Sequence, residues 1–390
     1  MSTRPAVALA SACAVLAVPL LAGCTDNSTA GAESGDLRSI AVTATDTACQ
    51  VSTDSAPSGN LTFTVTNGGS KVTEFYLLGS DGLRILGEVE NIAPGVSREL
   101  VLTAAPGSYF TACKPGMVGS GLRAPFAVTD AREGLSPSAE DEQLVATATA
   151  SYAAYVRDQT EQLVTATDAF TAAYVAGNDA RARKLYPQAR LHWERIETVA
   201  ESFGDLDPAM DAREADLEPG QSWTGWHRIE KDLWPARAKG YRPLSDAQRR
   251  RYADDLVKNT ATLHSRVTDL TFTVDQIANG SRSLLDEVAT GKVTGEEEYW
   301  SRTDLWDFQG NVDGARVAFE DLRALLQKRD PDLASQIDAR FTALQKQLDQ
   351  HKSGNGFVLY DDLSQSEVKD LSNGVNALAE LVSRLTAAVV

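Results

Sequence analysis

Apolar and polar residues alternate with period two over residues 39–45 and again over 60–67. That spacing puts one kind of side chain on each face of an extended chain and predicts half-buried strands. Residues 74–78, 97–103, 107–112 and 124–128 fit further strands, with turn residues at Asn67-Gly68-Gly69, Ser80-Asp81-Gly82, Ala93-Pro94-Gly95 and Ala105-Pro106-Gly107. Short strands at this spacing predict a small all-β sandwich over residues 37–130. Residues 131–142 read as a polar linker. Beyond it the period becomes helical and stays so, in segments 144–176, 179–202, 222–237, 245–278, 281–289, 303–328, 331–351 and 364–388. Ser364 and Glu367 have capping-box spacing, and Asp330-Pro331 places an N-cap before a first-turn proline. The expectation is a multidomain chain: an all-β sandwich, then an all-α bundle over 143–390, single or two end to end, without an internal repeat.

The first residues follow neither period. Arg4 is the sole charge before Asp26, and the apolar run 6–20 is too short for a spanning mature helix. It ends in Leu21-Ala22-Gly23-Cys24, and small residues there mark a secretory cleavage point. A Cys directly after Leu-Ala-Gly is similar to a bacterial lipobox. It predicts a signal peptide over 1–23, a diacylglycerol on the Cys24 thiol and a flexible tether over 24–36. Plain secretory cleavage is the alternative. The mature chain is expected outside the cytoplasm, on a membrane surface.

Composition narrows the chemistry. With 54 acidic and 37 basic residues the formal charge is -17, which argues against a nucleic-acid partner and suits attraction of cations. Cys13 leaves with the leader and Cys24 takes the lipid, so Cys49 and Cys113 remain. Cys113-Lys114-Pro115-Gly116-Met117 is similar to the ligand loop of cupredoxins, yet residues 25–191 contain no His. Type-1 copper takes two His with the Cys and a weak Met, so a blue-copper carrier is excluded. Two readings stay open. One is a Cys49–Cys113 disulfide. The other is a metal site built from Cys49, Cys113 and carboxylates such as Glu74, Glu88 and Glu90, whose hard oxygens favour Fe(III) over copper.

In the helical part His227 and Glu230 stand three apart, so one helix face carries both. The mirror spacing, Glu-x-x-His, holds iron in ferritin-like bundles. His192-Trp193-Glu194 with Glu197, and Asp304 with Asp307 and Asp313, offer more ligands from other segments. The expected metal site is His227 with Glu230, completed by Glu194, Glu197 and Asp307. The plainer alternative is a buried ion pair, such as His227 or Arg228 against Glu194. Hydrolytic motifs are missing: Arg228 follows His227, Lys231 stands where an inverted zinc motif needs its second His, and no Gly-x-Ser-x-Gly occurs. A binding protein is expected rather than an enzyme.

Longer stretches carry a resemblance. Residues 191–208, Asp211-Ala212-Arg213-Glu214, residues 225–234, 291–300 and 303–314 strongly resemble the imelysin-like family. Glu90-Asn91-Ile92-Ala93-Pro94-Gly95 is similar to the cupredoxin-like half of its iron-uptake members. The resemblance spans almost all of the mature chain. It implies a cupredoxin-like domain followed by an imelysin-type helical domain. It further implies iron, Fe2+ or Fe3+, as bound cargo, with copper or zinc as other occupants. The implied partners are a membrane iron permease and a haem-peroxidase-like protein of an Efe-type uptake system. His227 and Glu230 take a metal role by the match. In the β half it reaches Cys49, Glu74 and Cys113, but Ser108 stands where an acid would complete the pattern. The rivals are a cell-surface metallopeptidase of the same family and a metal-free scaffold lipoprotein.

Overall fold

The computed structural model describes residues 37–131, 138–217 and 220–390. The leader, Cys24 and the tether lie outside them.

The N-terminal part is a sandwich of two sheets. Its strands are β1 (Ser39–Ala44), β2 (Cys49–Val51), β3 (Ser55–Pro57), β4 (Gly59–Asn67), β5 (Thr73–Leu78), β6 (Ile85–Ile92), β7 (Ser97–Ala104), β8 (Gly107–Cys113) and β9 (Leu122–Thr129). One sheet runs β2-β1-β4-β7, with β1 and β4 parallel; the other runs β3-β9-β8-β5-β6. The period-two residues Ile40 and Val42 of β1 and Leu61, Phe63 and Val65 of β4 face Phe75 and Phe126 of the other sheet. Phe63 lies 5.2 Å from Phe75 and 5.6 Å from Phe126, ring centre to ring centre. Three strands escape the sequence pattern. β2 and β3 have three residues each, too short to show a period. β6 carries acids at Glu88 and Glu90 because its outer side meets the helical part.

Cys49 and Cys113 form a disulfide, with Cα atoms 5.5 Å apart. It ties β2 of one sheet to β8 of the other. The alternative in which both are metal ligands is thereby corrected, since a sulfur spent in a disulfide offers no thiolate. The bridge closes a 64-residue separation. Its removal in a Cys49→Ala, Cys113→Ala variant is expected to destabilise the β domain by about 2–5 kcal/mol. Thermal unfolding of both proteins checks this, and an unchanged midpoint would count against it.

The C-terminal part is built from α1 (Ala139–Val175), α2 (Asp179–Glu194), α3 (Glu197–Glu201), α4 (Asp207–Met210), α5 (Trp226–Leu233), α6 (Asp246–Thr268), α7 (Val274–Thr290), α8 (Asp304–Arg329), α9 (Pro331–Leu348), α10 (Gln365–Val382) and α11 (Leu385–Val389). Their buried faces share one continuous core. α1 packs on α2, α6 and α8, and α8 also packs on α7 and α9. Capping boxes start α6 at Ser245 and α10 at Ser364. Several segments expected to be unbroken helices are interrupted, among them 364–388, which breaks at residues 383–384 between α10 and α11. The 179–202 segment breaks after Glu194, whose carbonyl accepts from Asn311 Nδ2 at 2.8 Å. The 245–278 segment breaks over 269–273, where the Thr273 N–H turns to Gln276 Oε1 at 3.0 Å and opens α7. No described helix is long and apolar enough to cross a membrane.

The two parts meet along a polar seam. Thr103 N–H donates to Asp275 Oδ2 at 2.9 Å, Asn279 Nδ2 to the Val101 carbonyl at 2.8 Å, and Ile85 N–H to the Ser202 carbonyl at 3.1 Å. Acids collect there. Burial, with Glu74 nearby, pushes Glu88 up to about 8. Burial, with Glu197 nearby, pushes Glu287 up to about 7. Glu90, Glu201 and Asp207 are raised as well, in each case first by burial. A carboxyl raised on folding binds more protons folded than unfolded between its two pKa values, so stability falls as pH rises through that window. The metal-free midpoint of unfolding is therefore expected to fall by several degrees between pH 5 and pH 8. Glu88→Gln with Glu287→Gln should flatten that slope in a pH series, and an unaltered slope would refute this origin.

Candidate metal site

One buried polar cluster interrupts the helical core. Eight carboxyl groups meet there: Glu194 on α2, Glu197 on α3, Asp211 just past α4, Glu230 on α5, Glu297 and Glu298 in the loop before α8, and Asp304 and Asp307 on α8. Against them stand two permanent cations, Arg190 on α2 and Lys292 in the turn after α7, together with His227 on α5. Buried charges persist only when paired, and this cage holds more acid than its own cations neutralise.

Close backbone packing brings the elements together. α8 crosses α2 at Gly310 and Gly314, where an added Cβ would collide with the Glu194 side chain and the Arg195 carbonyl. α5 begins at Gly225, whose φ of +85° and contact with the Met210 carbonyl admit no side chain. This start seats His227 beside Asp211. On the inner side the cage is walled by Tyr186 and Trp226, both buried, and Tyr186 Oη donates to Glu298 Oε1 at 3.0 Å.

The His227 ring stands between two pairs of acids. Nδ1 lies 3.2 Å from Glu230 Oε2, with Glu298 Oε1 at 4.0 Å. Nε2 lies 3.3 Å from both Asp211 Oδ1 and Glu297 Oε1 and has no hydrogen bond. Glu230 is fully engaged: its Oε1 accepts the N–H groups of Trp300 at 2.7 Å and Ser301 at 2.6 Å. Arg190 pairs with Glu194, Asp211, Glu297, Glu298 and Asp307. Trp193 Nε1 donates to Asp211 Oδ2 at 2.6 Å. Neither carboxylate oxygen of Asp307 has a hydrogen bond; the Arg190 Nε contact is 3.5 Å.

These contacts divide the acids electrostatically. Burial opposes ionisation of Asp211, but Arg190 and His227 hold its carboxyl well below the usual range. Burial likewise opposes ionisation of Glu297, which the neighbouring His227 ring and the Lys292 charge pull down to about 2. Burial and Glu230 push Glu298 up to about 8, and burial pushes Asp304 up to about 7. Burial raises Asp307 well above its ordinary value. Burial and Arg190 work against a charged His227, yet the close carboxylates of Asp211, Glu230 and Glu297 raise its pKa. The corner facing Nε2 thus keeps two ionised carboxylates.

All five residues expected in the helical site, His227, Glu230, Glu194, Glu197 and Asp307, lie in this cluster. They do not form one ligand shell. Glu194 and Glu197 are gathered by Lys292 and Asn311, away from the His227 ring. Asp211 and Glu297, which face Nε2, were not singled out as ligands; both fall inside the stretches that carry the family resemblance. His192 lies outside the cage, with Nδ1 3.0 Å from Gln159 Oε1, and Asp313 pairs with Arg195 at 2.8 Å. In the β part Glu74 is taken up by Tyr76 Oη and by Lys114 at 3.6 Å. Among the described residues, the groups of His, Cys, Asp and Glu close enough to share an ion all lie in the helical part. They are Asp211 with His227 and Glu297, His227 with Glu230 and Glu298, and Glu194 with Glu197, Asp211 and Glu297.

A family model for imelysin, peptidase M75, matches residues 148–385. The iron uptake system component EfeO of Yersinia pestis is 37% identical over 357 residues, which cover 91% of this chain and 92% of that protein. EfeO of Escherichia coli O157:H7 is 36% identical over 360 residues, 91% of this chain and 92% of that one. With its helical part matched from 148 to 385 and its relatives aligned along nearly their whole length, the chain belongs to the imelysin family.

Proposed function

We propose that this protein is an extracytoplasmic, lipid-anchored iron-binding component of an Efe-type uptake system. In this reading it takes up iron in the helical part and passes it to a membrane permease, beside a haem-peroxidase-like partner. Cys24 carries the anchor, and the β part is a cupredoxin-like domain. The observation that carries the reading is the His227 corner: an imidazole Nε2 without a hydrogen bond, facing two ionised carboxylates, in a cage with more carboxyl groups than cations. One nitrogen with several oxygens suits iron or zinc better than Cu(I). The names of the EfeO relatives support iron as the cargo.

In this arrangement His227 Nε2, Asp211 and Glu297 bind the ion. Glu230 is a positioning residue. Anchored by two backbone N–H groups, it accepts a hydrogen bond from Nδ1–H, so that Nε2 is the nitrogen that gives up its proton to an incoming ion; imidazole ligands in metal sites are held this way. Asp211 and Glu297 are the least buried of the cage acids, each 8% exposed, so the ion approaches from their side. Metal analysis and calorimetry with Fe(III) and Zn(II), on protein purified without chelator, test the reading. At least one ion per chain is expected. Absence of binding would overturn it, and zinc-dependent cleavage of denatured protein would favour a peptidase.

A further inference from the structure

Charge is spread unevenly along the chain. Residues 223–251 hold eight of its 37 basic residues and only three of its 54 acidic ones, in a molecule whose formal charge is -17. Two of those three acids, Glu230 and Asp232, are buried. The cations point outward: Arg237, Lys239, Arg242, Arg250 and Arg251 are exposed, on the loop between α5 and α6 and on the start of α6. Arg237 and Arg251 reach acids only at 3.9 Å, at Asp361 and Asp255. Lys239, Arg242 and Arg250 have no ion pair among the described residues. Aromatic rings knit this surface together. The Arg228 guanidinium lies 5.5 Å from the centre of the Tyr241 ring and 4.9 Å from that of Tyr252. Lys231 Nζ lies 5.6 Å from Tyr241, and the Arg251 guanidinium 5.6 Å from Tyr252. The surface borders the mouth of the cage: Lys231 Nζ stands 5.5 Å from the Trp223 ring, and Trp223 Nε1 donates to the Ala212 carbonyl at 2.7 Å, next to Asp211.

We propose that this basic surface docks on the anionic phosphate headgroups of a lipid bilayer and sets the mouth of the metal cage beside the membrane. Each Lys or Arg near an anionic bilayer strengthens binding by roughly fivefold, and Tyr and Trp rings sit well at the lipid–water boundary. The rest of the molecule is acidic and is repelled by the same headgroups. Attraction at one patch with repulsion elsewhere selects one orientation. The choice of a bilayer over an acidic protein rests on the anchoring proposed for Cys24. Leu37 follows Cys24 by 13 residues, a chain that spans at most about 45 Å. An anchored protein therefore meets the bilayer at high effective concentration, where a few unpaired cations suffice. In that orientation Asp211 and Glu297 lie on the side where the proposed permease stands, so the ion leaves toward its acceptor.

The test uses the full mature chain made without its lipid, as Cys24→Ser, and vesicles of phosphatidylglycerol with phosphatidylcholine or of phosphatidylcholine alone. Sedimentation with the anionic vesicles is expected at low salt, none with the neutral ones, and release at about 0.5 M salt, where charge is screened within a few ångströms. Lys239→Gln with Arg242→Gln and Arg250→Gln should weaken vesicle binding by about 100-fold, at roughly fivefold per charge. Its circular dichroism and zinc affinity should match wild type, since none of the three pairs with a cage acid. Lys346→Gln with Lys352→Gln and Lys369→Gln removes the same charge from α9, from the turn after it and from α10, and should leave vesicle binding nearly unchanged. An equal loss in both triple variants makes binding a matter of net charge and overturns the proposal. A parent chain that ignores anionic vesicles overturns it too and leaves the patch to an acidic protein partner. Neither result touches metal binding at His227, and a chain that binds vesicles but no zinc fails the iron reading alone.

Discussion

Asp211→Asn combined with Glu297→Gln is expected to weaken metal binding by more than about 100-fold while the protein stays folded. Losing a residue that merely orients a ligand typically weakens binding by about 10–100-fold, and these two carboxylates face Nε2 directly at 3.3 Å. The amides keep the size of the carboxylates, although the single side-chain oxygen left at position 211 can serve only one of the two donors, Arg190 and Trp193, that Asp211 accepts on separate oxygens. Glu230→Gln should fall in the 10–100-fold range, because it loosens the ring without removing a ligand. His227→Ala should lose the ion altogether. Calorimetry on protein whose circular dichroism is unchanged decides the matter. If the double amide variant binds as wild type does, the ion sits elsewhere and the His227 corner is an ordinary buried ion pair.

Arg190→Met is expected to show the largest loss of stability. The guanidinium touches Glu194, Asp211, Glu297, Glu298 and Asp307, all buried. Removing one partner from a buried ion pair costs about 3–5 kcal/mol, since the remaining charge has no water to turn to. Several of these acids have other partners, and protonation relieves part of the rest, so the lower end of that range is expected. For a domain of this size that corresponds to roughly 10 °C in the unfolding midpoint. A bound cation supplies positive charge to the same acids and stabilises the folded state by mass action. Zinc should therefore raise the midpoint of Arg190→Met more than that of wild type. Scanning calorimetry with and without zinc checks both statements; equal midpoints for the metal-free proteins would show that the acids are neutralised without Arg190.

Local signals were legible wherever the physics is local. β1 and β4 follow from the alternation of Ile40, Val42, Leu61 and Phe63 against polar neighbours, because a strand exposes its two faces in turn. His227 and Glu230 come together because one helical turn brings positions three apart to one face. Ser364 with Glu367 marked a helix start for the same reason. β6 was not legible: its acids answer to a partner domain, not to water on one side and a core on the other.

Long-range juxtaposition followed a different rule. Asp211 precedes His227 by 16 residues and Glu297 follows it by 70. No periodicity reaches that far. They meet because α8 presses on α2 at two glycines and α5 starts where a glycine meets the Met210 carbonyl, contacts set by shape across the core. The Cys49–Cys113 bond has the same origin, since it depends on the edge strand β2 of one sheet lying against the central strand β8 of the other. Lys292 is the clearest case. In the chain it is one lysine in a polar turn; packing removes its water and leaves Glu194 and Glu197 as its partners. Residue type could nominate acids and an imidazole for a cation, but burial and distance assigned each its part, because charge in a dry interior is governed by what stands within a few ångströms.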